Sequence, residues 1–83
     1  MDPAIAFGQV LRTLRKNAAL SQEQLALDAG IERNFVSLIE RGVNQPSIRV
    51  IFKLAHALAI SPSAMLILVE DIVQRTIVPD SSE

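Results

Sequence analysis

The segment GIERNFVSLIERG, residues 30–42, collects hydrogen-bonding side chains on one side of a short predicted helix. At about 100° per residue, Val36 and Ile39 point in one direction, with Phe35 on their flank. The opposite arc holds Arg33, Asn34, Ser37 and Arg41, with Leu38 at its edge. Guanidinium, amide and hydroxyl groups are strong hydrogen-bonding groups. The pattern therefore predicts a helix with one buried face and one face that contacts a partner.

The residue types that catalysis and metal binding use most often are scarce in this chain. It has no Cys, Trp or Tyr, and His56 is its only histidine, without a second ligand of suitable type nearby. No glycine-rich phosphate-binding loop occurs, and a Ser–His–acid set is not expected on so small a helical chain. The sequence predicts no enzymatic activity, no metal, no cofactor and no small-molecule ligand.

Length and composition favour one small all-α domain. The chain has 83 residues, of which 49% are hydrophobic and 4% aromatic, and β-branched residues do not alternate with polar ones. Good helix formers dominate. The longest apolar run, AMLILV at 64–69, is too short to cross a bilayer, and the N-terminus does not resemble a signal peptide. We expect a cytoplasmic protein without a membrane partner.

The charges are unevenly distributed along the chain. Residues 12–53 contain seven of the eight basic residues and four acidic ones, whereas the remainder contains one basic and five acidic residues. A polyanion responds to the field within a Debye length of about 10 Å rather than to the net charge of −1. The basic middle region is therefore compatible with nucleic-acid binding, although such segregation also arises by chance.

Capping signals divide the first half of the chain into three helices. Asp2 and Pro3 predict the start of the first helix, which runs to about Lys16. Its apolar stripe consists of Phe7, Val10, Leu11 and Leu14. Ser21 and Gln24 predict a capping box at the start of the second helix, and Gly30 predicts its end. A third helix at about 32–41, closed by Gly42, completes a helix-turn-helix at about 21–41.

Two further helices are predicted in the second half. Ser47 is a cap for the fourth helix, whose predicted apolar stripe consists of Ile48, Ile51, Leu54, Ala55 and Leu58. The pair Ser61–Pro62 starts a fifth helix at about 62–77. We expect a single domain over residues 1–78, followed by a flexible tail at 79–83.

The stretch LSQEQLALDAGIERNFVSLIERGVNQPSIRVIFKLAHALAISPSAML, residues 20–66, resembles the helix-turn-helix domain of the Cro and phage-repressor (XRE) family of transcriptional regulators. Its anchors include Ser21-Gln22, Leu25-Ala26, Ala29-Gly30, Ile39-Glu40-Arg41-Gly42, Pro46-Ser47 and Leu54-Ala55. Within the family, IERGVNQPSIRVIFKLAHAL is most similar to the small homodimeric controller proteins of restriction–modification systems. The resemblance implies a compact, five-helix, lambda-repressor-like fold and double-stranded DNA as the partner.

The resemblance also implies a role for individual side chains. Arg33 and Asn34 match the leading base-reading positions, where they can pair with guanine and adenine edges. Ser37 and Leu38 match later groove-facing positions. The phosphate-binding positions are matched by Gln22, Arg41, Asn44 and Gln45. Arg15 and Glu40 match an internal ion pair that joins the first helix to the third.

Two positions depart from the family pattern. The residue before the recognition helix is usually Ser or Thr, and here it is Glu32. Its carboxylate favours the helix dipole but repels a nearby phosphate, so we expect a modest loss of affinity. Leu38 stands where the family often has a polar residue. The remaining cations, Arg12, Lys16, Arg49 and Lys53, suit either a solvated face or additional phosphate contacts.

The fifth helix carries more apolar residues than one buried face requires. A broad arc faces the core, and Ile67 and Leu68 fall outside it. A second subunit is the expected partner, with Met65, Ile67, Leu68 and Ile72 at the dimer interface. The sequence therefore predicts a homodimeric regulator that reads an inverted repeat and responds to its own concentration. An antitoxin-like module that binds another protein is the alternative, and a non-specific architectural binder is disfavoured by the net charge.

Overall fold

Five α-helices make up the part of the chain that the computed structural model describes, residues 1–76. In chain order they are α1 (Pro3–Asn17), α2 (Gln22–Ala29), α3 (Arg33–Glu40), α4 (Ile48–Ala57) and α5 (Pro62–Thr76). No strand occurs within residues 1–76. The predicted all-α, five-helix architecture is confirmed. The predicted tail at 79–83, together with Ile77 and Val78, lies outside the described residues.

Side-chain caps start four of the helices at the predicted positions. Oδ1 of Asp2 accepts from the Ala4 amide, at 2.6 Å. The hydroxyls of Ser21, Ser47 and Ser61 each accept from the amide three residues later, at 3.0 to 3.2 Å. Each cap satisfies an amide that has no partner within its helix, which fixes where the helix begins.

Of the two hydrogen bonds in the capping box predicted for α2, one is present, and the prediction of the other is wrong. Ser21 does accept from the amide of Gln24, but the side chain of Gln24 does not return the bond. Its Nε2 instead donates to Oδ1 of Asp28, one turn further along α2, at 3.0 Å. A carboxylate acceptor forms the stronger, charge-assisted bond, so it outcompetes the return bond to the cap.

The core lies between all five helices. Its largest fully buried side chains come from every one of them: Leu11, Leu25, Val36, Ile39, Leu54 and Met65. Helix α1 packs against both α3 and α5, while α4 packs against α2 and α5. The core therefore joins the helix-turn-helix on one side to α5 on the other.

The structure corrects two predictions about which apolar residues are buried. Met65 is fully buried in the single chain, so its assignment to the dimer interface is wrong. It lies on the core-facing side of α5 and has no surface left for a partner. Ile48 was expected in the core-facing stripe of α4, but 68% of it is exposed. As the first residue of α4, it lies at the end of the helix, where fewer neighbours cover it.

Candidate nucleic-acid interface

Helix α3 separates its two faces as the sequence predicts. Val36 and Ile39 are fully buried and anchor α3 in the core. Arg33 and Asn34, the first two residues of the helix, are exposed, and Ser37 and Leu38 are half-buried beside them. The exposed residues thus lie at the N-terminal end of α3, the end that reads base edges in helix-turn-helix proteins.

The turn between α2 and α3 is short and begins with a glycine in the left-handed backbone conformation. Gly30 has φ 70° and ψ 35°, and the Ile31 amide donates to the Ala26 carbonyl at 3.0 Å. Three residues, 30–32, separate the two helices. The glycine conformation allows the chain to reverse direction here without strain. This turn holds α2 and α3 at a fixed angle, as a helix-turn-helix requires.

Glu32 occupies the N-cap position of α3, but its side chain makes no capping hydrogen bond. Its backbone carbonyl accepts from the amides of Phe35 and Val36, at 3.0 and 3.2 Å, so α3 starts without side-chain help. The carboxylate remains exposed next to Arg33. It places a negative charge at the edge of the candidate interface.

A buried polar network holds the C-terminal end of α3 against α1 and α2. The Arg15 guanidinium donates from Nε to Oε2 of Glu40, at 2.6 Å, and from Nη2 to Oε1, at 3.0 Å. Nε2 of Gln22 donates to the same Oε1 of Glu40, at 3.0 Å. The Arg15 and Glu40 side chains are only 10% and 3% exposed. Such bidentate, charge-assisted bonds fix geometry as well as adding energy.

The same network ties down the connection between α1 and α2. Nη1 of Arg15 donates to the Leu20 carbonyl, at 2.9 Å. The hydrogen bonds that Arg15 donates to Glu40 raise the pKa of the Arg15 guanidinium, against the opposing effect of burial. Because a raised pKa favours the charged form, this stabilisation is present throughout the neutral range and is lost only at extreme alkaline pH.

Gln22 belongs to this network, which limits the donors that its side chain can offer to a phosphate. One N–H of its side-chain amide is donated to Glu40, which leaves the second N–H and the backbone N–H groups of the first turn of α2 as donors for an anion. A polar depression beside it is lined by Arg15, Ser21, Gln22, Glu23 and Arg33. The structure therefore brings the predicted phosphate residue Gln22 next to the predicted base-reading residue Arg33.

The loop after α3 presents the remaining predicted phosphate residues. Arg41, Asn44 and Gln45 are all exposed. The Leu38 carbonyl accepts from the amides of Val43 and Asn44, at 3.0 and 3.3 Å, which holds the loop against the end of α3. These bonds fix the start of the loop relative to α3.

The cations at this surface are not neutralised by neighbours. Within residues 1–76, the ion pairs are Arg15–Glu40 and the exposed pair Arg75–Asp71 on α5. Arg33 and Arg41 take part in neither. Away from α3, the exposed cations include Arg12 and Lys16 on α1 and Arg49 and Lys53 on α4. Unpaired guanidinium groups on a rigid surface are suited to binding phosphates and base edges.

A second exposed surface lies on α5 and has the opposite character. Ile67 is 63% exposed, and its neighbours Leu66 and Leu68 are each 41% exposed. Leu68 and the half-buried Ile72 border a cavity of about 130 Å³ between α5 and α1. We call Leu66, Ile67 and Leu68 the α5 apolar patch. Three consecutive large apolar residues with this exposure are unusual on a monomer surface.

Helix α4 exposes Phe52, which the sequence analysis did not single out, together with Ile48, which it assigned to the core. Phe52 is 58% exposed and lies one turn after the exposed Ile48. The sequence signal that could have identified the pair is the i, i+4 spacing of Ile48 and Phe52, which puts both on one side of α4. The exposed side of α4 also carries Arg49 and Lys53, whereas that of α5 carries Glu70 and Asp71.

Neither a metal-binding cluster nor a single membrane-spanning helix occurs within residues 1–76. Residues 1–76 contain no group of three or more His, Cys, Asp or Glu side chains that could hold a metal ion. No single helix there is both long and apolar enough to cross a membrane. Helices α4 and α5 reach the length and hydropathy only when taken together, across a bend of 106°.

Comparisons with known proteins place this geometry in context. A family model described as "Helix-turn-helix" matches residues 11–65. The chain is 36% identical over 63 residues to the control protein C.BamHI of Bacillus amyloliquefaciens, covering 75% of this chain and 78% of that protein. It is 33% identical over 60 residues to an uncharacterized HTH-type transcriptional regulator of Mycobacterium tuberculosis. That match covers 72% of this chain but only 43% of the regulator.

The fold is also similar to that of a solved controller protein. The crystal structure of the restriction-modification controller protein C.AhdI from Aeromonas hydrophila has a TM-score of 0.75 and 43% sequence identity. The match covers 78% of this chain and 98% of that one. The resemblance to XRE-type regulators and to controller proteins is confirmed. These relatives are named as regulators and control proteins rather than as enzymes.

Proposed function

The chain belongs to the helix-turn-helix family of transcriptional regulators, and from that premise we propose that it binds an inverted-repeat DNA operator as a homodimer. The observation that carries the proposal is the exposed, unpaired pair Arg33 and Asn34 at the N-terminal end of α3. The helix itself is anchored by Val36 and Ile39 and clamped at Glu40. A rigid helix with free donors at its leading end is suited to reading bases in the major groove.

In this proposal each groove-facing side chain of α3 contacts a different base of the DNA half-site. Arg33 donates two hydrogen bonds to guanine O6 and N7, and Asn34 pairs with adenine N6 and N7. Ser37 follows one turn later and contacts either base type through its hydroxyl. Leu38 packs against a thymine methyl group, which its half-buried position beside Ser37 permits.

A second group of residues fixes the protein on the sugar–phosphate backbone. Gln22 and the loop residues Arg41, Asn44 and Gln45 flank α3 on its two sides and bind phosphates there. Such contacts set register and orientation without carrying sequence information. Glu32 opposes them, since its exposed carboxylate lies beside Arg33 and repels phosphate.

The α5 apolar patch forms the proposed homodimer interface, together with Ile72. The proposed interface keeps Ile67 and Leu68 from the sequence prediction. It omits Met65, which is buried, and includes Leu66, which is exposed. In a two-fold dimer the same patch meets its copy. Helix α4 also exposes Ile48 and Phe52, and its cations Arg49 and Lys53 are opposite in charge to Glu70 and Asp71 of α5. Two recognition helices about 34 Å apart then fit successive major grooves on one face of DNA.

The regulated genes are proposed from the named relatives. C.AhdI is a restriction-modification controller protein and C.BamHI is a control protein. We infer that this chain controls a restriction–modification operon in the same manner. Regulation follows from mass action, because both the dimer and its complex with DNA form as the protein concentration rises.

Selection of bound duplexes from a random DNA pool, at near-physiological salt, tests the proposal. We expect recovery of an inverted repeat whose half-sites are centred about one helical turn apart. Sedimentation of the free protein at micromolar concentration should give the mass of a dimer. A pool without any enriched motif would contradict sequence-specific binding and would favour the alternative, a protein-binding module that acts through the α5 apolar patch.

A further inference from the structure

Helix α1 meets the C-terminal end of α3 at three positions along one side. Ile5 lies against Gly42, Gly8 lies against the last turn of α3, and Arg15 reaches the Glu40 carboxylate. The spacings of three and seven residues place all three on the same side of α1. The contact at Gly8 is the closest, because backbone meets backbone there.

No side chain fits at Gly8. A Cβ atom on Gly8 would overlap the carbonyl oxygen of Ile39 and would lie 2.7 Å from the carbonyl oxygen of Glu40. Both atoms belong to the backbone of α3, so they cannot rotate away as the end of a side chain can. The Ile39 carbonyl also accepts from the Gly42 amide at 3.0 Å, in the turn that closes α3. Relief of the overlap requires α1 and α3 to move apart, which changes the position of α3 relative to α1.

We propose that Gly8 is a positioning residue for DNA recognition: its missing side chain sets how deeply the recognition helix α3 sits against α1, and so how far Arg33 and Asn34 project. The inference rests on the proposed function. Helix α3 spans only eight residues, about 12 Å, so a displacement of its last turn is transmitted to its first. The Gly8 contact and the Arg15–Glu40 bonds act on the same turn and together fix its place.

The alternative reading of Gly8 predicts the opposite change in stability. Glycine in a helix interior is less favourable than alanine, so Gly8→Ala would raise the melting temperature if α1 had room for a methyl group. The observed contact predicts a lower melting temperature for Gly8→Ala. A raised melting temperature would overturn the inference before any DNA is added.

The decisive measurement is the ratio of specific to non-specific DNA affinity, with the selected operator and a scrambled duplex as probes. For Gly8→Ala we expect this ratio to fall at least tenfold, measured well below the melting temperature, with scrambled-duplex affinity changed less than twofold. The matched control is Val10→Ala. Val10 is buried on α1 but borders the cavity against α5 rather than α3. This control should lose stability while keeping the wild-type ratio.

A milder variant covers the case in which Gly8→Ala does not fold. Ile5 is 44% exposed, so Ile5→Ala should fold while loosening the contact of α1 with Gly42. We expect a two- to fivefold fall in the affinity ratio. An unchanged ratio in every folded variant overturns the inference and leaves the proposed function standing. A wild-type protein without sequence preference overturns the proposed function, and this inference with it.

Discussion

The α3 surface and the α5 surface are both exposed, yet they are built in opposite ways. On the α3 side, unpaired polar groups project from a helix that is clamped by a buried ionic network. On the α5 side, apolar side chains project from a helix that is held by ordinary core packing through residues such as Met65 and Val69. The difference between the two surfaces suits the two proposed partners, a polyanion for α3 and an apolar surface for α5.

The largest effect is expected where the α3 side is clamped. Arg15→Ala leaves the Glu40 carboxylate buried at 3% exposure without its cation, and such a change costs about 3–5 kcal/mol of unfolding free energy. Urea titration measures the loss. The matched control is Arg75→Ala on α5, whose ion pair is exposed and contributes roughly 0.3–0.5 kcal/mol. Equal losses for the two variants would show that the network does not act as a clamp.

Two residues of α5 separate core packing from the exposed patch. Met65→Ala should lower the unfolding free energy by about 2–5 kcal/mol, because it leaves a cavity at a fully buried position. Ile67→Ala, two residues further on, should stay within about 0.5 kcal/mol for the monomer. It should instead weaken dimerisation, measured by sedimentation over a range of concentrations. A dimer insensitive to Ile67→Ala would place the interface elsewhere.

On the α3 surface, Arg33→Ala tests base reading. We expect a loss of about 1–3 kcal/mol in operator binding and relaxed preference at one base pair of each half-site. The unfolding free energy should be unchanged, since the side chain is exposed and unpaired. Binding titrations against all four bases at that position provide the measurement. A uniform loss on every sequence would instead identify Arg33 as a phosphate contact.

The smallest effects are expected in the turns on the two sides. Gly30 ends α2 with φ 70°, and Ala59 follows α4 with φ 56°, so both are left-handed. Gly30→Ala meets no atom within 4 Å and should cost about 1 kcal/mol from backbone strain alone. Ala59→Gly should relieve similar strain, but the more flexible unfolded chain offsets about 0.4–1 kcal/mol of the gain. Thermal melts should show a lower melting temperature for Gly30→Ala and a smaller change for Ala59→Gly, and a raised melting temperature for Gly30→Ala would contradict the prediction.

Local chemistry in the sequence accounts for much of the fold. Serine and aspartate caps, together with Pro3 and Pro62, place the helix starts within about one residue of the observed ones. Apolar periodicity identifies Val36 and Ile39 as the anchors of α3. These features were predictable because each depends on residues within one or two turns. The sequence did not predict that the Gln24 side chain bonds to Asp28 rather than to the Ser21 amide, since both partners lie within reach of Gln24.

The sequence by itself determined five helices, the polar arc of α3 and the excess of apolar residues on α5, because these follow from residue type and helical period. Only the tertiary structure decided that Met65 is core while Ile67 is surface, and that Ile48 and Phe52 are exposed. It alone showed why position 8 is glycine, since the carbonyls that exclude a side chain lie more than 30 residues away in the chain. Helical period specifies which face a residue occupies, but only packing between helices determines what that face meets.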